Sequence, residues 1–390
     1  MPAPLKGTKI LVIMPSIPLH GMERANVQIM RLLKAAGADV LFVAESKWGT
    51  GVIKAIESSG CRWVGIELTQ QLTLPPNPVQ AFRTIKNWLR THAAIRKAYR
   101  AYQPTHIYLT NVSFFLYSLP LTGRRGVKTV FRLPNPPESG LYSWKQRIWD
   151  LIWKRMIIPR CDVMVCNSRY TLQKLRELTD CDDKLELIYN SYPRREQQGM
   201  SDAPDVSAER LNVVYLGRIQ KGKGVEELYQ AAKSIVQRHP SVDFYLVGQS
   251  SWMNPFAESL IRENEKAGLS GRILFLDQVE DVPGLLEKAD LHVCPSISAG
   301  ESFPNVILEA KHAGLASVVF PTAGLPEAVA HGVEGLVCSG NSAEELADKI
   351  EQYVLSPELR RKHGEAARQS LRRHGERRAT EEWIRVLAND

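Results

Sequence analysis

The stretch LNVVYLGRIQKGKG, residues Leu211 to Gly224, decides the fold. Its first six residues are apolar except Asn212, a short continuous run typical of a strand buried on both faces. The run stops at Gly217. Arg218, Lys221, Gly222, Lys223 and Gly224 make a basic, glycine-rich turn, and Val225 then opens a segment with helical apolar spacing through Arg238. Strand, glycine turn and helix in succession are the repeating unit of a parallel sheet covered by helices.

The same grammar extends in both directions. Downstream, Asp243–Val247, Ile273–Leu276, Leu291–Cys294 and Ala316–Phe320 read as strands with helices between them. Upstream lies PRREQQGMSDAPDVSAER, residues 193–210, almost free of large apolar side chains and read as a linker. Before it, Lys9–Met14, Asp39–Ala44, Trp63–Ile66, His106–Thr110, Lys128–Arg132, Val163–Asn167 and Leu185–Tyr189 read as another set of buried strands. The expected fold class is α/β, with two tandem Rossmann-like parallel-sheet domains facing a central cleft. Residues 1–192 form the first domain and 211–372 the second. Residues 373–390 form a terminal helix able to cross back to the first. Open parallel sheets bind ligands beyond the carboxyl ends of their strands, so the site is expected there.

Composition narrows the class. No run of 18 apolar residues is present, and Ile10–Met14 is too short for a leader, so a cytoplasmic protein is expected. The cysteines, Cys61, Cys161, Cys166, Cys181, Cys294 and Cys338, form no CxxC pair and sit mostly in apolar stretches, as reduced buried thiols do. The histidines lack HExxH spacing, and Asp180-Cys181-Asp182 reads as a solvated turn rather than a carboxylate pair for a divalent ion, so no metal or other cofactor is expected. Net charge is +8, and residues 68–137 hold ten cations and no acid, a field that attracts an anionic substrate or surface. No aromatic-basic repeat on a small sheet module supports nucleic acid as a partner.

Three turns of the second half carry the chemistry. GESFPNVILEA, from Gly300 to Ala310, follows strand Leu291–Cys294, with Pro304 suited to a first helical turn and Gly314 to the stop. Glu301 stands at the helix mouth and Glu309 within the helix, with the unpaired amides of the first turn between them, where phosphates bind. Phe320 to Glu327 repeats strand, turn and helix, and Gly324 permits close backbone approach. In the first turn, Arg218 can fork onto phosphate oxygens and Lys223 can add a point charge. At the head of the chain, Gly21 opens the first helix without the GxGxxG spacing of a dinucleotide-binding turn.

These residues resemble the retaining glycosyltransferases of family 4, with their two-domain GT-B fold. The E-x7-E motif of that family matches Glu301 and Glu309. Its phosphate turn matches Gly217, Arg218, Lys223 and Gly224. Its late glycine turn matches Ala323, Gly324, Pro326 and Glu327, with Ala323 where a glycine is usual. The resemblance implies that Glu301 holds hydroxyls of the transferred sugar, Glu309 binds the ribose, and Arg218 and Lys223 bind the diphosphate. It further implies that Gly217, Phe303, Pro304, Asn305, Val306 and Gly324 position the donor, and that Val282 lies in the base-contacting turn. Gly21, Arg132 and Asn190 fall on the acceptor or phosphate side. Here the chain departs from the family: Gly21-Met22 replaces Gly-Gly, Phe131-Arg132 stands where His-Asp is common, and Asn190-Ser191 replaces Asn-Gly.

The implied function is metal-independent hexosyl transfer from a nucleotide-diphosphate sugar to a glycan or lipid-linked acceptor, in polysaccharide, lipopolysaccharide or glycolipid synthesis. Sugar-nucleotide epimerisation and non-catalytic sugar-nucleotide binding are the alternatives. The segment LYSWKQRIWDLIWKRMII, residues 141–158, fits a helix lying in a membrane interface or one buried in the first domain. With the basic stretch, it raises the expectation of peripheral contact with an anionic membrane at the inner face of the cell membrane.

Overall fold

The computed structural model of the chain describes residues 3–16, 19–67, 78–137, 143–192, 206–207, 209–248, 254–277, 279 and 281–388. Side chains of residues 78–81 and 143–145 lie outside this description. Two units result: Met1–Ser191 together with Glu376–Asp390, and Tyr192–Gly375.

The first unit contains β1 (Lys9–Ile13), α1 (Gly21–Ala35), β2 (Asp39–Glu45), α2 (Thr50–Ser58), β3 (Arg62–Ile66), α3 (Pro78–Tyr102), β4 (His106–Leu109), α4 (Val112–Ser118), β5 (Lys128–Leu133), α5 (Ser143–Ile152), β6 (Val163–Cys166), α6 (Arg169–Leu178) and β7 (Leu185–Leu187). Its seven strands are parallel, in the order β3-β2-β1-β4-β5-β6-β7. Ile10 to Ile13 and all of β4 and β6 are buried, which is why these strands appear in sequence as unbroken apolar runs.

The second unit contains β8 (Leu211–Leu216), α7 (Val225–Arg238), β9 (Val242–Val247), α8 (Pro255–Lys266), β10 (Ile273–Leu276), α9 (Val282–Glu287), β11 (Leu291–Cys294), α10 (Asn305–Ala313), β12 (Ala316–Val319), α11 (Leu325–Ala328), β13 (Gly335–Val337), α12 (Ala343–Leu355) and α13 (Pro357–Ser370). The order β10-β9-β8-β11-β12-β13 is again parallel throughout. The chain winds outward from β8 in one direction and from β11 in the other. The connections that follow β8 and β11 therefore lead off in opposite directions along the sheet, which is where open sheets receive ligands.

The last helix, α14 (Glu376–Ala388), belongs to the first unit. Trp383 is buried there, 5.7 Å from the Tyr108 ring. The His106 ring meets the Leu387 carbonyl through Nε2 at 3.1 Å, and Arg385 pairs with Glu186 at 2.8 Å. Most of residues 193–210 lies outside the described residues. At its end, however, Val206 is buried against the second unit, and the Ser207 carbonyl accepts from Asn212 at 2.8 Å, so this part of the expected linker is packed. The segment 141–158 ends in the core. Trp153 and Ile157 are buried, and Trp153 stacks on Phe131 at 5.8 Å. No described helix is long and apolar enough to cross a membrane.

Candidate functional site

The residues expected to bind a diphosphate lie on three neighbouring strand ends of the second unit. The loop after β8 begins with a fold-back: Tyr215 Oη donates to the Arg218 carbonyl at 2.9 Å. A Cβ at Gly217 would lie 2.6 Å from Tyr215 Oη, so a larger residue there would displace the phenol from this bond. Burial pushes the Tyr215 phenol well above its ordinary range, with Cys294 and Glu301 adding to the effect, so it stays a neutral donor. Arg218 is left exposed, and Lys223 ends the short 3-10 turn Lys221–Lys223.

The loop after β11 closes on this turn. The amides of Ile297 and Ser298 donate to the Gly222 carbonyl at 3.3 and 3.1 Å. Gly224, at φ 67°, approaches so closely that a Cβ would lie 1.8 Å from the Pro295 carbonyl oxygen. This docking brings the Lys223 ammonium onto the Glu301 carboxylate. The Ser296 hydroxyl donates to the same Glu301 oxygen at 2.9 Å. Glu301 is only 12% exposed and Lys223 21%, so water screens this pair less than a surface ion pair. Directly beneath, burial pushes the Cys294 thiol up to about 12, with the Glu301 charge adding to it.

The loop after β12 completes the set. The Gly324 amide donates to the Glu301 carbonyl at 3.1 Å, and a Cβ on Gly324 would sit 1.5 Å from the Ser302 carbonyl oxygen. Ala323 takes φ 51°, a left-handed conformation that suits glycine better than alanine.

The other expected donor residues lie in or beside α9 and α10. Pro304 is the residue before α10, in extended backbone at φ −73° and ψ 131°, rather than in its first turn. Asn305 is the first helical residue, and Glu309 is half-buried further along α10. The Phe303 ring is buried 5.3 Å from His374, leaving its backbone as the part able to meet a ligand. Val282 and Val306 pack against the apolar cluster that holds Val214, Leu285 and Ala310. Sequence reasoning missed Ser296 and Gly248. A Cβ on Gly248 would lie 1.8 Å from the Gly217 carbonyl oxygen. A lone glycine after a strand is its only sequence signal, and Ser296 has none.

The three residues expected on the acceptor side lie in the first unit. Gly21 opens α1 and is exposed. Two residues on, Glu23 is buried, and its carboxylate accepts from the His20 amide at 3.1 Å, so the start of this helix already carries an anion. Arg132, on β5, is buried. It donates to Asn26 Oδ1 at 3.0 Å and to Asn190 Oδ1 at 2.7 Å, and Tyr108 donates to the same Asn26 oxygen at 3.0 Å. Burial lowers the Arg132 pKa, opposed by Tyr108 and Glu23. The second-strand acid Glu45 is also spent internally, on the amides of Lys47, Trp48 and Gly49. Asp182 of the DxD turn pairs with Arg176, and no cluster of metal-ligating side chains is found among the described residues.

Residues 201–370 match the family described as glycosyl transferases group 1, and residues 19–194 match glycosyltransferase family 4. The chain is 27% identical over 222 residues to the N-acetyl-alpha-D-glucosaminyl L-malate synthase of Bacillus anthracis, covering 56% of each chain. It is 30% identical over 174 residues to an N,N'-diacetylbacillosaminyl-diphospho-undecaprenol alpha-1,3-N-acetylgalactosaminyltransferase of Campylobacter jejuni, covering 45% of this chain and 43% of that protein. The chain thus spans about half the length of the curated relatives it matches. The solved structure of Anabaena HepE in complex with UDP and glucose aligns with a TM-score of 0.78 over 98% of this chain and 99% of that one, at 18% identity. The shared fold is the pair of Rossmann-like domains seen in GT-B glycosyltransferases.

Proposed function

The chain belongs to the family 4, group 1 glycosyl transferases, and from that premise we propose that it moves a hexosyl group from a nucleotide-diphosphate sugar to an acceptor hydroxyl, with retention and without a metal ion. The observation that carries this reading is the Lys223–Glu301 pair, held by Ser296 beyond the ends of β8 and β11. The two charges satisfy each other. A donor supplies what each needs: phosphate oxygens for the Lys223 ammonium and sugar hydroxyls for the Glu301 carboxylate.

Transfer breaks the bond from the sugar anomeric carbon to the diphosphate oxygen and forms one to the acceptor oxygen. Negative charge grows on the departing diphosphate, where Lys223, the exposed Arg218 and the amides at the start of α10 receive it. An acceptor entering on the leaving-group face lies beside that phosphate, which takes the hydroxyl proton. Glu309, on α10 beyond these amides, is assigned to the ribose. UDP sugars are the first donors to try, because HepE was solved with UDP. The two relatives named act on unlike acceptors, a malate and a lipid-linked diphosphate sugar. We assign a glycan or lipid-linked acceptor to this chain.

Thermal-shift screening of UDP-, GDP-, ADP- and dTDP-sugars identifies the donor. With it, Glu301→Gln, Lys223→Ala and Arg218→Ala each lower turnover by about tenfold or more. Near-wild-type turnover in all three variants overturns the reading. An isomerised sugar released without acceptor assigns epimerisation instead.

A further inference from the structure

We propose that the outer face of α3 seats this protein on an anionic phospholipid bilayer. Phe82, Ile85 and Leu89 are 70%, 59% and 55% exposed. At 3.6 residues per turn their spacing confines them to an arc of about 60°. Thr91, Ile95, Ala98 and Tyr102 occupy the opposite arc and are buried in the first unit. The helix therefore has its own packed face, and the three large apolar side chains belong to another.

The cations of α3 border this apolar arc. Arg83, Lys86, Arg90 and Lys97 lie along one flank, while Arg96 and Arg100 continue the arc towards the C-terminal end; all six are exposed. The helix contains no acid, and none of the six makes an ion pair among the described residues. Arg124 rests 5.8 Å from the Tyr99 ring, bringing the exposed Arg124–Arg125 turn beside the same helix. The first unit also shows what an ordinary wet helix looks like: on α14, Arg377 and Arg378 are each matched by an acid four residues on.

An anionic bilayer satisfies both halves of this face. Lipid phosphates take the guanidinium and ammonium groups, and the boundary with the acyl chains takes the apolar ridge. A nucleic-acid backbone would match the cations and leave Phe82, Ile85 and Leu89 in water. Within 141–158 Trp153 and Ile157 face the core while Ile148 and Leu151 are exposed, so α3 adds a second surface to the contact expected there. The assignment does not depend on the transfer reading, because vesicle binding is measured without donor or acceptor.

The test is sedimentation of the full chain with sucrose-loaded vesicles, of phosphatidylcholine alone or with about one part in four of phosphatidylglycerol, at low salt. Binding to the anionic vesicles is expected to be at least about tenfold stronger than to the neutral ones and to fall with added salt. The combined substitution Phe82→Ser, Ile85→Ser, Leu89→Ser is expected to weaken it at least about fivefold. The combination Arg83→Gln, Lys86→Gln, Arg90→Gln should do the same, and both variants should melt at the wild-type temperature. Equal binding to neutral vesicles, or undiminished binding by both variants, overturns the proposal. A wild-type dimer in solution that the serine variant splits also overturns it, by making a second copy the occupant.

Discussion

The two units share one grammar of parallel strands and return helices, yet their strand ends hold opposite kinds of chemistry. In Tyr192–Gly375 the loops after β8, β11 and β12 dock by backbone contact through Gly224 and Gly324, which leaves partly exposed charges, Lys223 and Glu301, facing one another. In Met1–Ser191 the charged groups expected at the corresponding end are buried in side-chain contacts. Arg132 is buried under Asn26, Asn190 and Tyr108, and Glu23 sits at the start of α1. Three of the four departures from the family pattern lie in this first unit; the fourth, Ala323, lies in the second. A charged pair that a ligand can part suits a polyanionic donor, whereas a buried network fixes the shape of its surroundings. Similar topology leaves ligand chemistry to a few loop residues.

The largest test of this contrast is Gly324→Ala. Its new Cβ would overlap the Ser302 carbonyl and force the loops after β11 and β12 apart. Donor affinity, measured by calorimetric titration, is expected to fall about a hundredfold, with a stability loss of about 3 kcal/mol. Unchanged affinity would show that the docking of these loops does not shape the site.

Arg132→Met probes the other side. It removes one donor from Asn190 Oδ1 and the cation near Glu23, so a loss of about 3 kcal/mol is expected, seen as a fall in melting temperature of about 10 °C. Donor affinity should stay within about twofold, since the donor contacts are assigned to the second unit. A stable variant that no longer binds donor would make Arg132 a ligand contact and erase the distinction between the units.

Much of this contrast was legible in the sequence. Buried parallel strands are continuous apolar runs, and the expected strands match β1 to β12 within a few residues. Strand β13 was missed because Gly335-Leu336-Val337 is too short to stand out from a turn. In sequence, helix α3 stands out only as a basic stretch. Its apolar residues lie on two faces, Phe82, Ile85 and Leu89 outward and Ile95, Ala98 and Tyr102 inward, which blurs the single stripe that marks an amphipathic helix. In the site, Glu301, Lys223 and Gly324 were legible because chemistry and backbone demand those residue types in strand-end turns. Val282 and Val306 are half-buried and pack in part against apolar neighbours. Ser296 was invisible because its bond to Glu301 spans irregular backbone with no period. Arg132 was assigned to the acceptor side, and sequence alone does not reveal that Asn26 and Asn190 enclose it.

A smaller effect sharpens the account of the loop after β12. Ala323 holds φ 51°, so Ala323→Gly removes left-handed strain at some entropic cost. A net gain of about 0.5 kcal/mol is expected, raising the melting temperature by about 1–2 °C with turnover unchanged. A lowered melting temperature would mean that the alanine methyl contributes packing that outweighs the strain.

In the proposed mechanism Lys223 serves the phosphates of the donor, and Glu301 holds the ammonium in place for them. Calorimetric titration with UDP alone, once a UDP sugar is identified as donor, tests it most directly. Lys223→Ala should weaken UDP binding by about tenfold or more, while Glu301→Gln, by releasing the ammonium, should bind UDP at least as tightly as the wild type. Wild-type UDP affinity in Lys223→Ala, or a loss in Glu301→Gln as large as in Lys223→Ala, would contradict it.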